Sequence, residues 1–138
     1  MPSGDCYMAN GRIVMQKMSA PDEKKWKLCH GVGILQSDGE PFGHSWVEHG
    51  SRCIDQSNGN DINFPKQLYY ALGKFPVKGY KIYKYSPEET GIKMVRNRHW
   101  GPWDLSTMLG EKIPEHDRKV GKKKETISRR DLLKIKQE

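Results

Sequence analysis

The chain has 138 residues, 24 Lys and Arg against 17 Asp and Glu, and only 35% hydrophobic residues, which bounds it to one domain with a small core and room for a tail. No run of 18 apolar residues occurs, which excludes a membrane-spanning helix, and Met1 to Cys6 lacks the apolar stretch of a secretory signal. Three cysteines, an odd number, argue against a disulfide framework and fit a reducing, cytoplasmic setting.

The net charge of +7 is uneven. Residues 1–116 carry 15 basic and 13 acidic side chains, whereas residues 117–138 carry nine and four. A basic tail suits an acidic partner such as nucleic acid, an acidic protein or an anionic surface, and it equally suits a solvated segment that aids solubility.

In chain order, Asp5 is a good N-cap for a helix over Tyr7 to Met18. Ser19-Ala20-Pro21-Asp22 ends that helix. A strand from Lys27 to Gln36 follows, then a hairpin turn at Ser37-Asp38-Gly39-Glu40, a strand from Phe42 to Glu48, a turn at His49-Gly50 and a strand from Ser51 to Asp55. Gln56 to Asn63 reads as a loop and Pro65 to Gly73 as a short helix. Lys78 to Tyr85 alternates as a strand, with Tyr80, Ile82 and Tyr83 apolar between lysines. Ser86-Pro87-Glu88-Glu89 starts a helix running to about Arg98. His99 to Trp103 breaks the pattern, with Trp100 and Trp103 read as core anchors in preference to a cleft wall. Asp104 to Leu109 forms a turn of helix, 110–124 a linker, and Thr126 to Lys136 a basic helix. The domain boundaries are therefore 1–109 for the folded domain and 110–138 for the basic linker and C-terminal helix or tail.

Cys6, His44 and Asp55 carry the chemistry. A cysteine at a helix start meets backbone N–H groups and the positive end of the helix dipole, which favour thiolate, the form that attacks an acyl carbon. If His49-Gly50 is a two-residue hairpin loop, Glu48 faces Ser51, His44 faces Asp55 and Trp46 faces Cys53. Opposed residues have Cβ atoms about 4.5–5.5 Å apart, close enough for a carboxylate to orient one imidazole nitrogen and leave the other for Cys6. If Asp38-Gly39 is also a two-residue loop, Gly33 faces His44 and Gly31 faces Trp46, leaving room beside the base for a helix end or a substrate. Zinc is the competing use of Cys6, Cys29, His30, His44, His49 and Cys53. No Cys-x-x-Cys or His-x-x-x-His spacing supports it, and Cys29 and His30 point to opposite faces of a strand.

Gly4-Asp5-Cys6-Tyr7-Met8-Ala9, Gly43-His44-Ser45-Trp46-Val47-Glu48 and Cys53-Ile54-Asp55 together resemble the transglutaminase-like branch of the papain-like cysteine peptidase superfamily. The resemblance covers roughly residues 3–57. It implies an α+β fold with a nucleophile helix packed on an antiparallel sheet. It also implies acyl transfer through a thioester, as hydrolysis, deamidation or transamidation of a protein or peptide substrate, with no cofactor and no metal. By motif position, Cys6 is the nucleophile, His44 the base and then acid, and Asp55 the orienting residue. The Cys6 N–H, with Gln36 or Gln56, is the candidate oxyanion hole. Trp46, Gly31, Gly33 and Gln56 are the candidate substrate-contacting residues. The alternative is a basic nucleic-acid- or protein-binding module on a papain-like scaffold without activity.

Overall fold

The computed structural model describes residues 5–34 and 39–105. The expectations for the linker, the basic helix, Gln36 and half of the turn at 37–40 lie outside the described residues.

Five strands form one antiparallel sheet in the order β4-β3-β2-β1-β5. In the chain the elements run α1 (Cys6–Met15), β1 (Trp26–Ile34), β2 (Pro41–His49), β3 (Arg52–Asp55), β4 (Ile62–Pro65), α2 (Lys66–Gly73), β5 (Tyr83–Tyr85) and α3 (Pro87–Asn97). The fold is therefore α+β, with three helices on the sheet. None of the described helices is long and apolar enough to cross a membrane.

Strand alternation sorts the side chains into two cores. Leu28, Val32 and Val47 face Val14 of α1 and join Trp26, Tyr83, Tyr85 and Leu105. Cys29, Trp46 and Cys53 face the other way and pack with Tyr69 of α2 and Phe75. Helix α3 lies beside α1. It is fixed by a capping box in which the Ser86 hydroxyl accepts from the Glu89 N–H at 3.1 Å and the Glu89 carboxylate accepts from the Ser86 N–H at 3.0 Å. Glu48 is 4% exposed and sits among partners. It pairs with Lys66 at 3.4 Å and Lys84 at 3.1 Å, and accepts the Tyr70 hydroxyl.

Both hairpin registers differ from the sequence expectation by two residues. His49 pairs with Arg52, so the turn is Gly50-Ser51 rather than His49-Gly50. Gly50, at φ +59°, supplies the left-handed conformation at the first turn position. His49 stays in β2, stacked on Trp26 at 3.9 Å and bonded to Asp22 at 2.8 Å. In the other hairpin Gly31 pairs with His44 and Gly33 with Phe42, because the ladder opens at Ile34 and Pro41.

Other boundaries also moved. Ile62–Pro65, expected as loop and helix start, pairs with β3 as an edge strand. Pro65 fits there because an edge strand leaves a position that needs no donor. The strand expected over Lys78 to Tyr85 pairs only at Tyr83–Tyr85. Asp5 occupies the N-cap position without capping its helix; its carboxylate accepts the Asn58 N–H at 2.6 Å.

The two strand glycines are places of close approach. A Cβ on Gly31 would lie 2.8 Å from the Trp46 ring, and one on Gly33 would lie 2.5 Å from the Gly73 carbonyl oxygen at the end of α2. Gly31→Ala and Gly33→Ala should each lower stability by about 1–3 kcal/mol through overpacking. Urea unfolding checks this, and an unchanged midpoint would contradict the packing.

Candidate active site

Strand β1 covers one edge of β2 over its whole length, but β3 covers the other edge only from Val47 to His49. Below that point β2 and β3 part. The register carried one pair further would set Trp46 against Asp55, and a second step would set Ser45 against Gln56. Between Ser45 and Gln56 lies the carboxamide of Asn10, a fully buried residue of α1. Its Nδ2 donates to the Ser45 carbonyl at 2.9 Å, and its Oδ1 accepts the Gln56 N–H at 3.0 Å. One side chain thus satisfies two backbone groups that the parted strands leave open.

Asn10 lies one helical turn beyond Cys6, so seating it in the gap fixes where Cys6 stands. Cys6 is 3% exposed and opens α1. Cys6 is a close neighbour of the His44 ring and favours its charged form. On the far side of that ring, His44 Nε2 lies 2.8 Å from Asp55 Oδ2. Since Asp55 engages Nε2, Nδ1 is the nitrogen left for the thiol. The pairing of His44 with Asp55 survives the two-residue register difference because an even shift keeps every side chain on its face. The two residues meet as diagonal neighbours rather than directly opposed ones.

Asp55 is held on both oxygens. Oδ1 accepts from Asn10 Nδ2 at 3.1 Å and from the Ser57 N–H at 3.0 Å. Oδ2 accepts the Tyr69 hydroxyl at 2.8 Å besides facing His44. Burial opposes the charged form, but the hydrogen bond and charge of His44, with the Ser57 N–H, hold the carboxyl well below the usual carboxylate range. The His44 imidazole is likewise disfavoured as a cation by burial. Its contacts with Asp55 and Cys6 outweigh that and push its pKa up to about 9. The other two cysteines stand in contrast. Burial pushes the Cys29 thiol well up and the Cys53 thiol up to about 12. All three cysteines are free.

The residues expected to touch substrate are placed differently. Trp46 is fully buried and packs on Phe75 with ring centroids 4.3 Å apart, so it belongs to the second core. The space at Gly31 is taken by Trp46, and that at Gly33 by the end of α2 and the Phe75 ring. Of the two uses foreseen for that room, a helix end fills it at Gly33 alone, while at Gly31 a core side chain does. Gln56 serves through its backbone N–H on Asn10, while its side chain points to Asp61 at 3.4 Å and away from the site. Of the sequence-stated oxyanion donors, the described residues leave the Cys6 N–H, at the first position of α1.

Sequence reasoning missed Asn10 and Tyr69. Spacing held a signal for Asn10, which stands four residues after Cys6 on one helix face. Tyr69 is joined to Asp55 by a contact 14 residues long that no local pattern encodes. Also missed was an apolar cleft of about 220 Å³ beside His44, lined by Ile34, Phe42, Ile62, Phe64, Tyr69, Leu72, Gly73 and Phe75. Among the described residues no group of three metal-binding side chains comes together. His30 is fully buried on the α1 face against Tyr7, Tyr85 and Trp103, and burial pushes its pKa down to about 3, so it is neutral.

Asn10→Ala removes partners from Ser45, Gln56 and Asp55 together and should cost about 2–3 kcal/mol in urea unfolding. The raised pKa of His44 also has a sign. Folded protein holds a proton that the unfolded chain releases above 6.5, so this stabilisation is full below pH 6.5 and lost as pH rises through about 9. Stability measured across that window should fall in the native protein and fall less in His44→Gln; equal profiles would contradict the charged contact. No protein-family model matches the chain, and no curated protein or solved structure matches it significantly.

Proposed function

We propose that the protein is a cysteine-dependent acyl-transfer enzyme acting on an amide of a protein or peptide substrate. The observation that carries this reading is the His44 ring set between Cys6, which favours its charged form, and a carboxylate held ionised on both oxygens. A histidine between a thiol and an ionised carboxylate is the arrangement that activates a nucleophile and then returns its proton. The placement of Cys6 at a helix start on an antiparallel sheet, with His44 and Asp55 on neighbouring strands, supports a place in the transglutaminase-like branch of the papain-like superfamily.

In the proposed reaction the Cys6 proton already rests on His44 Nδ1, in keeping with the raised pKa of the ring, and the sulfur attacks the amide carbonyl. The Cys6 N–H at the start of α1 faces the developing oxyanion. The C–N bond breaks as the imidazolium gives its proton to the departing amine, leaving a thioester on Cys6. Water or a second amine then attacks the thioester carbon and gives its proton to His44. The C–S bond breaks as that proton stays on the ring, which restores the starting pair of Cys6 sulfur and charged His44. Throughout, Asp55 stays ionised and holds Nε2–H, and Tyr69 and Asn10 hold Asp55.

Acetylation by p-nitrophenyl acetate tests the reading without knowledge of the natural substrate. The acetyl mass should appear on the Cys6 peptide well before those of Cys29 and Cys53. Cys6→Ala should remain folded and take up no early acetyl group. His44→Ala should slow the reaction by about 10²–10⁴-fold. Asp55→Asn should be milder, since asparagine still holds the ring while losing the charge that stabilises the imidazolium. Equal labelling of all three cysteines would refute the enzyme and leave the basic binding module. Salt-dependent association with nucleic acid would then test that alternative.

A further inference from the structure

The cleft beside His44 has no part in the proton transfers, yet His44 forms one of its walls. The others are apolar: Phe42, Ile62, Phe64, Leu72 and Phe75. The surface is continuous up to the candidate base, since Phe42 lies 5.4 Å and Phe75 6.1 Å from the His44 ring, centroid to centroid. Leu72, at the lip, is 44% exposed, and the described residues leave only Met8 and Leu68 comparably exposed among large apolar side chains. At roughly 30 Å³ per water, 220 Å³ holds about seven waters, the bulk of one aromatic ring or one branched alkyl group.

The polar side chains of the lining are already engaged. The Tyr69 hydroxyl donates to Asp55, and His44 Nε2 faces the same carboxylate. Among the described residues, a substrate carboxamide or carboxylate seated here would lose its water and meet no side-chain partner left open to it, a penalty that a hydrocarbon group escapes. We propose that the cleft takes an aromatic or branched alkyl substituent of the acyl donor, placed next to the carbonyl that Cys6 attacks. The inference rests on the reading of Cys6 as nucleophile. It narrows the substrate class to donors with a bulky apolar group beside the reacting bond, and sets aside donors that present a glutamine-like side chain there.

Three alkylating reagents that share one reactive group test this: iodoacetamide, N-benzyl iodoacetamide and N-(2-carbamoylethyl) iodoacetamide. Rates are read at the Cys6 peptide by mass spectrometry and divided by the rates of the same reagents with a small free thiol. The benzyl reagent should gain about tenfold or more over iodoacetamide and show saturation, while the carbamoylethyl reagent should gain nothing. In Leu72→Lys and in Ile62→Thr the benzyl-to-parent ratio should drop several-fold. Taking a ratio within each variant cancels any change in Cys6 itself. Rapid alkylation of Cys6 with no benzyl preference would overturn the cleft assignment and leave the nucleophile standing. A benzyl preference untouched by both substitutions would also overturn it. Cys6 reacting no faster than the free thiol with every reagent would overturn the nucleophile, and the assignment with it.

Discussion

Two strands separate after Val47 and Ile54, and the side chain of Asn10 occupies the space between them. The candidate site depends on that substitution of a side-chain amide for a backbone ladder. Had β3 continued along β2, the backbone groups of Ser45 and Gln56 would face each other and the start of α1 would have no seat. With the strands parted, their open polar groups demand a partner. A carboxamide supplies a donor and an acceptor on one planar group, and α1 delivers it. The helix is thereby held by the hydrogen bonds of Asn10 at its middle and by the packing of Val14 near its C-terminal end.

From that anchor the acid–base set follows. Asn10 also reaches Asp55, and Asp55 reaches His44 and Tyr69. The carboxylate thus ties α1, β2 and α2 together at the place where the sheet opens. Glu48 repeats the pattern further along the same face of β2, closed by Tyr70, Lys66 and Lys84. Trp46 lies between His44 and Glu48 on that face and keeps the two charged clusters apart with an apolar wall. Each buried carboxylate is satisfied, which is the condition for keeping charge inside a small domain.

Much of this was legible in the residues. Ser86-Pro87-Glu88-Glu89 specified its helix start because the capping box is local chemistry, and the structure forms it. Turn residues marked both hairpins, but the turn centre was set by which residue takes φ > 0, and Gly50 takes it at the first position. The resulting two-residue differences left His44 and Asp55 on one face, since face depends only on parity. Ile62–Pro65 was not legible as a strand. Its neighbours are polar and glycine-rich, and its pairing comes from β3. The roles of Gly31 and Gly33 were half legible: the need for space was written in the sequence, but its occupants, Trp46 and the end of α2, are set by tertiary packing. Asn10 and Tyr69 were hidden because their meaning lies in the partner they reach across the fold.

The proposed function requires Cys6, His44 and Asp55 to act as one coupled unit. The most direct measurement is an NMR titration of the His44 ring in the native protein and in Cys6→Ser. Such coupling puts the midpoint near pH 9 in the native protein, since both Asp55 and Cys6 favour the charged ring. It also requires a clear downward shift when the sulfur is replaced. A native midpoint near the ordinary 6.5, or one that does not move in Cys6→Ser, would contradict the coupling.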